Sequence, residues 1–402
     1  MAVSNSPART CDFVFRLACY LLWAALAASP TALGEPASSP AEMEVLTEQQ
    51  WNRVDDSIER AFSWLASKQQ RDGSFPTVVQ GQPGVTGLVV MAFAAHGHTP
   101  GQGPYGDMLD NAIRYIVSRQ KPNGLIAQVA PIGTKISRNV SRTVGGTATY
   151  NHGIASLALS EVYASSHETS EVEIRETIEH SIKATLEMQG WPKVREVDRG
   201  GWRYLDLLPR DGEPVDSNLS NTVWQMLFLR SAKNAGFDVP QQTVDAAVQF
   251  IRNCFNPTYN TFVLMPSYQD HRTRGMSGAG VIALALAGMH DSVEAQTAGD
   301  WILENTFLEY NKVEPFGQRG FLDDRYHHGV FFCTQATYQL GGRHWSEFFP
   351  PMVEVILANQ NQDGSWEAES HTSDHKFGNA YTTALMVLSL GAPNQLLPVL
   401  QR

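Results

Sequence analysis

Apolar residues along this chain recur in two alternating patterns. In "VDDSIERAFSWLASKQQRDGSF" the residues Val54, Ile58, Phe62 and Leu65 fall three or four apart with charges between them, the stripe of an amphipathic helix. The run ends at Asp72-Gly73, where glycine reaches the left-handed conformation that stops a helix at little cost. "TGLVVMAFAAHGH" follows and is apolar nearly all round, as suits a helix buried on both sides. Amphipathic helix, glycine turn and buried helix form one unit.

The unit recurs along the chain. "DNAIRYIVSRQKPNGL" leads to "TATYNHGIASLALSEVYA", and "IEHSIKATLEMQG", through "RGGWRYLDLLP", to "SNTVWQMLFLRSAKNAGF". "VDAAVQFIRNCFNPTYNTF" leads to "MSGAGVIALALAGMH", and "AGDWILENTFLEYNKVEPFGQRGFL" to "YHHGVFFCTQATYQLGG". The last pair is "FFPPMVEVILANQNQDGSW" and "NAYTTALMVLSLGA". Six helix pairs with no sustained strand alternation predict an all-α domain. Units of roughly 45 to 75 residues exceed the tetratricopeptide and ankyrin periods and vary too much for a regular solenoid. The alternation predicts two concentric layers, with the apolar helices inside. An open solenoid needs a polar cap at its end; "TTALMVLSLGA" is as apolar as the middle helices, which predicts closure into a ring.

The Gln…Asp-Gly-x-Trp/Phe endings are strongest at Gln69–Phe75 and Gln360–Trp366 and stretched at Gln189–Trp202. They resemble the prenyltransferase and squalene oxidase repeat of squalene-hopene cyclases and protein prenyltransferases. "YNHGIASLALSEVY", "GGWRY" and "TVWQMLFLRSAKNAGFDVP" look most like exported bacterial members. The resemblance runs from about Ile58 to Leu390 and implies an (α/α)6 toroid, a terpenoid cyclase or protein prenyltransferase-like barrel. That is a statement about fold, because the same toroid also carries binding proteins and glycan-processing enzymes. At the sixth ending, the Gln360 amide is expected to bond the backbone of its turn while Trp366 packs on the neighbouring outer helix.

Composition and the chain ends narrow the picture further. Of 402 residues, 43% are hydrophobic and 18% charged, a globular balance with material for a large core. A formal net charge of -11, with no Lys/Arg cluster, argues against nucleic acid or an anionic membrane as partner. Arg9 and Arg16 precede the apolar stretch Leu17–Ala28, about a dozen residues and too short to span a bilayer. Ala32 and Gly34 are small residues of the kind a signal peptidase needs, so cleavage is expected after Gly34. Residues 1–34 then read as a signal peptide, 35–50 as a Pro/Ser-rich linker and 51–402 as the toroid. The mature chain is expected to be periplasmic or secreted, without a transmembrane segment. Cleavage leaves Cys254 and Cys333, too few for a disulfide framework.

If the helices run as read, every inner helix starts at one rim, and its first polar residues meet round a cavity mouth. These are Thr86, Tyr150, His152, Asp216, Asn218, Ser277, Asp324, Tyr326, His327, His328, Asp374, His375 and Tyr381. The resemblance implies definite chemistries, and each can be compared with the residues present. Squalene-type cyclases protonate an alkene with an Asp-x-Asp-Asp-Thr segment; aligning "VDSNLSNTVW" on Thr222 puts Asn218, Ser220 and Asn221 where those acids stand. Asp216 is nearby without a carboxylate partner, and a turn or N-cap role suits it. The prenyltransferases hold zinc through Asp-x-Cys on one inner helix and a His in Asp-x-Tyr-His on a later one. "DRYHHGVFFC" resembles the second, but "RGMSGAG" supplies neither Asp nor Cys. Asp323-Asp324 is followed by His327 where a magnesium-binding Asp-Asp-x-x-Asp needs its third acid.

No cofactor or metal is therefore expected. The reading is an exported binding or scaffold protein that lacks the cyclase acid. Its partner would be a hydrophobic small molecule in the central cavity or a protein on the rim. The alternative is a terpenoid- or lipid-modifying enzyme, of cyclase or transferase type, with a non-standard site drawn from His152, Asp216, Asp324, Tyr326 and His327.

Overall fold

The computed structural model describes residues 45–128, 142–166, 168–205, 214–312, 324–369 and 372–402. The segment read from sequence as a signal peptide and most of that read as a Pro/Ser linker lie outside the described residues. So do Asp323 and much of the basic glycine loop before Tyr150. Among the described residues no helix is long and apolar enough to cross a membrane.

Among the described residues, twelve α-helices alternate as the apolar pattern predicts. The outer layer is α1 (Glu48–Ser67), α3 (Gly106–Ser118), α5 (Glu168–Gln189), α7 (Gln241–Asn253), α9 (Val293–Glu304) and α11 (Gly342–Ala358). The inner layer is α2 (Gly84–Ala95), α4 (Arg142–Val162), α6 (Leu219–Asn234), α8 (Arg274–Leu286), α10 (Tyr326–Leu340) and α12 (Gly378–Leu390). Each inner helix packs on the next, and α12 returns to α2 while α11 returns to α1. The ring closes, and the fold is an all-α (α/α) toroid. Outer α1 buries the stripe Val54, Ile58, Phe62 and Leu65, whereas α12 buries every residue from Thr382 to Leu390.

Helix α1 begins within the segment read as linker. Thr47 and Gln50 form a reciprocal capping box, the Gln50 N–H donating to Thr47 Oγ1 (3.3 Å) and the Thr47 N–H to Gln50 Oε1 (2.9 Å). Helix α11 also starts earlier than its sequence suggests and runs through Pro350 and Pro351. Buried Trp345, Phe348 and Phe349 anchor the turns before the prolines, with the rings of Trp345 and Phe349 stacked at 4.0 Å. The insert between α7 and α8 is a small antiparallel sheet that helical periodicity gave no reason to expect. Its strands are β1 (Phe255–Asn256), β2 (Thr261–Met265) and β3 (Tyr268–Arg272), and it turns at Asn260 with φ 54°. After α12 the chain crosses the C-terminal ends of the inner helices. The Leu396 N–H donates to the Ala95 carbonyl of α2 (2.8 Å), and Gln339 of α10 donates to the Leu400 carbonyl (2.8 Å).

The repeated phrase is a joint between outer helices. The amides of Gln69, Gln120, Gln189 and Gln360 each donate to the carbonyl of the glycine in their own turn. Each also donates to a carbonyl of the next outer helix, those of Met108, Thr177, Thr243 and Ser57, at 2.7–2.9 Å. The turn glycines Gly73, Gly124, Gly200 and Gly364 have φ between 84° and 95°. A Cβ on Gly364 would stand 2.4 Å from the Arg60 carbonyl oxygen of α1, so both conformation and close approach demand glycine. Trp366 is fully buried, but its indole N–H donates to the Ile356 carbonyl of its own helix α11 (2.9 Å).

The same turns dock onto the inner helices through one further bond. The N–H groups of Phe75, Trp202 and Trp366 donate to the hydroxyls of Thr86, Thr222 and Thr383 at 3.1–3.3 Å. In the second unit the Ile126 N–H donates to His152 Nδ1 (3.0 Å), so His152 occupies the threonine position of the repeat.

Candidate functional site

A cavity of about 410 Å³ opens among the N-terminal ends of the inner helices. Its apolar side is Val85 and Leu88 of α2, Ile154 of α4, Trp224 of α6 and Phe377. Its polar side is Tyr150, Tyr204, Arg325, His328, Asp374, Lys376 and Tyr381. A side lobe of about 180 Å³ shares Tyr150, Tyr204, Arg325 and His328 and extends to Ser220, Leu264 and His271 beside the β-sheet. Trp224 is held flat by Phe331, whose ring lies parallel to it at 5.8 Å.

Arg325 is the N-cap residue of α10, and His328 stands one turn later on the same face. Arg325 Nη1 lies 3.3 Å from Asp374 Oδ1, and the Tyr381 hydroxyl donates to Asp374 Oδ2 (3.1 Å). Burial pushes the Asp374 carboxyl up, and the Arg325 guanidinium opposes that shift. Burial raises the Tyr150 and Tyr381 phenols well above the usual range, which keeps them neutral donors. The Tyr150 hydroxyl meets those of Ser220 and Tyr204. Burial and the Arg325 charge depress His328 to about 3 and His271 to about 4, so both are neutral near pH 7.

The five residues proposed from sequence do not converge on one point, although the rings of Tyr326 and His327 touch edge to face at 5.2 Å. His152 is fully buried between the Ile126 N–H and the Thr185 hydroxyl (3.0 Å), and burial depresses it to about 4. Asp216 pairs with Arg203 Nε (2.8 Å). Asp324, fully buried, accepts from Arg274 Nε (2.7 Å) and from the Arg274 backbone N–H (2.9 Å). Arg274 is held further by the Thr306 and Lys312 carbonyls and by the face of Phe307 at 3.8 Å. Tyr326 is fully buried against Phe307 and Tyr310. His327 is bracketed by Glu369, 3.2 Å from Nδ1, and by the Tyr310 hydroxyl, 2.9 Å from Nε2. Asp324 and His327 thus take different acid–base partners, Arg274 and Glu369.

Helical rotation explains this sorting. At about 100° per residue, Tyr150 faces the cavity and His152 the outer layer; Arg325 and His328 face inward while Tyr326 and His327 turn away. Of the rim residues, Tyr150, His328, Asp374 and Tyr381 reach the cavity. Sequence reasoning passed over Arg325, although it stands inside "DRYHHG" three places before His328. Glu369, Tyr310 and Tyr204 lie in irregular segments that periodicity does not orient.

The segment Asn218, Ser220 and Asn221 is knit together at Asn218, and its Ser220 hydroxyl also meets that of Tyr150. Asn218 Oδ1 accepts from the Asn221 backbone N–H (2.9 Å), the Asn221 amide (2.9 Å) and the Ser220 hydroxyl (3.3 Å). It caps α6 and presents no ionisable group. Cys254 and Cys333 are both buried as free thiols. Among the described residues, no group of three or more His, Cys, Asp or Glu is arranged to hold a metal ion.

No family model and no curated protein matches the chain. Solved structures do. A variant of the type II terpene cyclase MstE from Scytonema, in complex with merosterolic acid A, matches with a TM-score of 0.55 at 14% identity, over 86% of this chain and 98% of that one. A sugar epimerase from a ruminal bacterium matches with a TM-score of 0.55 at 12% identity, over 84% and 98%. At such identities the likeness shows the toroid fold, shared between terpenoid and sugar enzymes, and nothing of activity.

Proposed function

We propose that this protein binds an amphipathic small molecule in the central cavity and does not carry out cyclase acid chemistry. The observation that supports it best is the division of the cavity wall. Aliphatic and aromatic side chains, Val85, Leu88, Ile154, Trp224 and Phe377, form one side, and a fixed polar arc round Arg325 forms the other. A hydrophobic body and a polar head would satisfy both. Where the cyclase acids would stand by alignment on Thr222, the Asn218–Asn221 cap offers no ionisable group. The complex of the cyclase neighbour with merosterolic acid A is consistent with a small-molecule ligand.

We propose further that residues 1–34 act as a leader, so that this binding takes place in the periplasm or medium. N-terminal sequencing of the mature protein tests that placement, and an intact Met1 sinks it.

Organic extraction and mass spectrometry of the protein purified from its host tests the binding. The expected result is a stoichiometric small molecule that is lost from Ile154→Trp, in which the added ring fills the cavity. A well-folded wild-type protein whose extract is empty, and whose Trp224 fluorescence no amphiphile alters, would overturn the reading.

One observation favours catalysis instead. Asp374 is a buried carboxyl with a raised affinity for its proton, hydrogen-bonded to Tyr381 in the cavity wall. If the site is catalytic, Asp374→Asn abolishes conversion of the extracted ligand and leaves its binding intact. Absence of any conversion by the wild type decides for binding.

A further inference from the structure

We infer that the side lobe seats the head of the ligand, and that this head is an uncharged polyol; this rests on the cavity reading above. Its hydroxyls, those of a glycerol or sugar residue, would bond the imidazoles of His271 and His328. The two rings come from different elements, His271 from β3 and His328 from the first turn of α10, and both line the lobe. His328 is 9% exposed, yet among the described residues neither imidazole makes a hydrogen bond. A buried ring nitrogen without a partner costs free energy, which a ligand hydroxyl recovers. Gly275 of α8 makes room for the His328 ring: a Cβ there would stand 2.6 Å from His328 Nδ1. Nδ1 is thus packed on α8, and Nε2, across the ring, turns away from it.

Burial and the neighbouring Arg325 charge keep both rings neutral near pH 7, so each carries one N–H donor and one lone-pair acceptor. A hydroxyl suits either nitrogen, because it donates and accepts. Three hydroxyls on the lobe wall extend the same chemistry: that of Tyr150 meets Ser220 and lies 3.4 Å from that of Tyr204. Arg325 also lines the lobe, and its guanidinium already faces Asp374 at 3.3 Å. An ionic head would give up its hydration for side chains that, Arg325 apart, are neutral among the described residues. A polyol exchanges bonds to water for equivalent bonds to the wall. The volume of about 180 Å³ matches that of about six waters at about 30 Å³ each, room for a three-carbon polyol or one edge of a sugar ring.

The test compares octylglycerol, octyl glucoside, octanol and octanoate, which share a tail and differ in the head. Each is titrated below its micellar concentration into the full-length purified protein and followed by tryptophan fluorescence and calorimetry. The added hydrogen bonds predict that one of the polyol heads binds at least about tenfold more tightly than octanol, with octanoate no tighter than octanol. Whichever polyol binds more tightly identifies the source, glycerol or sugar. His271→Phe keeps a ring in the lobe but removes its nitrogens, and should abolish most of the preference with little change in octanol binding. His271→Gln, whose amide donates and accepts, should retain it. His328→Leu should act as His271→Phe does; should it fail to fold, the two His271 variants carry the test. Equal binding of octanol and the polyols, a preference for octanoate, or a polyol preference that survives His271→Phe would overturn the polyol inference and leave the cavity reading standing. Failure of all four to bind would overturn both.

Discussion

Gln360 and Ser57 lie 303 residues apart in the chain and meet where the ring closes, the Gln360 amide donating to the Ser57 carbonyl at 2.8 Å. The hydroxyl of Ser57 donates back to Gln360 Oε1 (2.8 Å). Helices α11 and α1 are thus joined by the same glutamine device that joins α1 to α3. No covalent link spans this seam, so side-chain chemistry must hold it.

Two variants test the seam. Gln360→Ala removes the reciprocal pair and should destabilise the fold by about 1–3 kcal/mol. Trp366→Ala, which empties a fully buried site beneath the same turn, should cost about 3–5 kcal/mol. Urea denaturation measures both. A shift near zero for either would show that the phrase does not hold the ring together.

His152 stands in a threonine position of the repeat, so its imidazole is expected to support the fold and leave the ligand untouched. His152→Ala leaves the Ile126 N–H without its acceptor and opens a void, at a cost of about 2–4 kcal/mol. Ligand affinity at a temperature where the variant is folded should equal that of the wild type. A selective loss of binding or turnover would instead assign His152 to the site.

The Arg274–Asp324 pair makes a parallel case. Asp324→Ala leaves a buried guanidinium uncompensated and should destabilise the protein by about 3–5 kcal/mol. Replacing both partners by apolar residues of similar size, as in Arg274→Met/Asp324→Leu, should recover a large part of that loss. Thermal unfolding of the three proteins distinguishes a structural pair from a functional one, since a functional acid would lose activity in the recovered double variant as well.

Glu161 provides a pH-dependent test. It lies at the base of α4 near the C-terminal tail, and burial pushes its carboxyl up to about 7, with the Ser231 hydroxyl bond opposing the shift. A carboxyl whose folded pKa is raised holds its proton longer in the folded than in the unfolded state. Its contribution is therefore favourable at low pH and is lost as pH climbs from the usual Glu range to about 7. Glu161→Gln removes this term and should be more stable than the wild type by about 1–3 kcal/mol at pH 8, with the gap closing near pH 4. Comparing the two proteins cancels the opposite trend expected from buried His152, His271 and His328. A pH-independent difference would refute the assignment.

Much of the architecture was readable because it is local. The spacing of Val54, Ile58, Phe62 and Leu65 specifies which face of α1 is buried wherever that helix is placed, and Asp72-Gly73 and Asp363-Gly364 stop their helices by backbone conformation alone. The β-sheet at 255–272 was missed because it is short, and its strands carry no clear alternation. The site was legible only in part. Tyr150, Asp374 and Tyr381 were named for the rim and do line the cavity, while Arg325 drew no notice because a single arginine at a helix start carries no periodic signal.

By itself the sequence determined the helix pairs, their burial and the closure of the ring, since hydrophobic period and glycine turns act between near neighbours in the chain. Tertiary structure decided which polar residues at the inner-helix starts became wall and which became site. Neighbouring positions on a helix point about 100° apart, and their partners come from segments far away in the chain. Glu369 draws His327 into the wall across 42 residues, while Asp374 positions Arg325 at the cavity from the next inner unit. Those pairings depend on how six units meet round one axis, a relation that no local stretch of sequence contains.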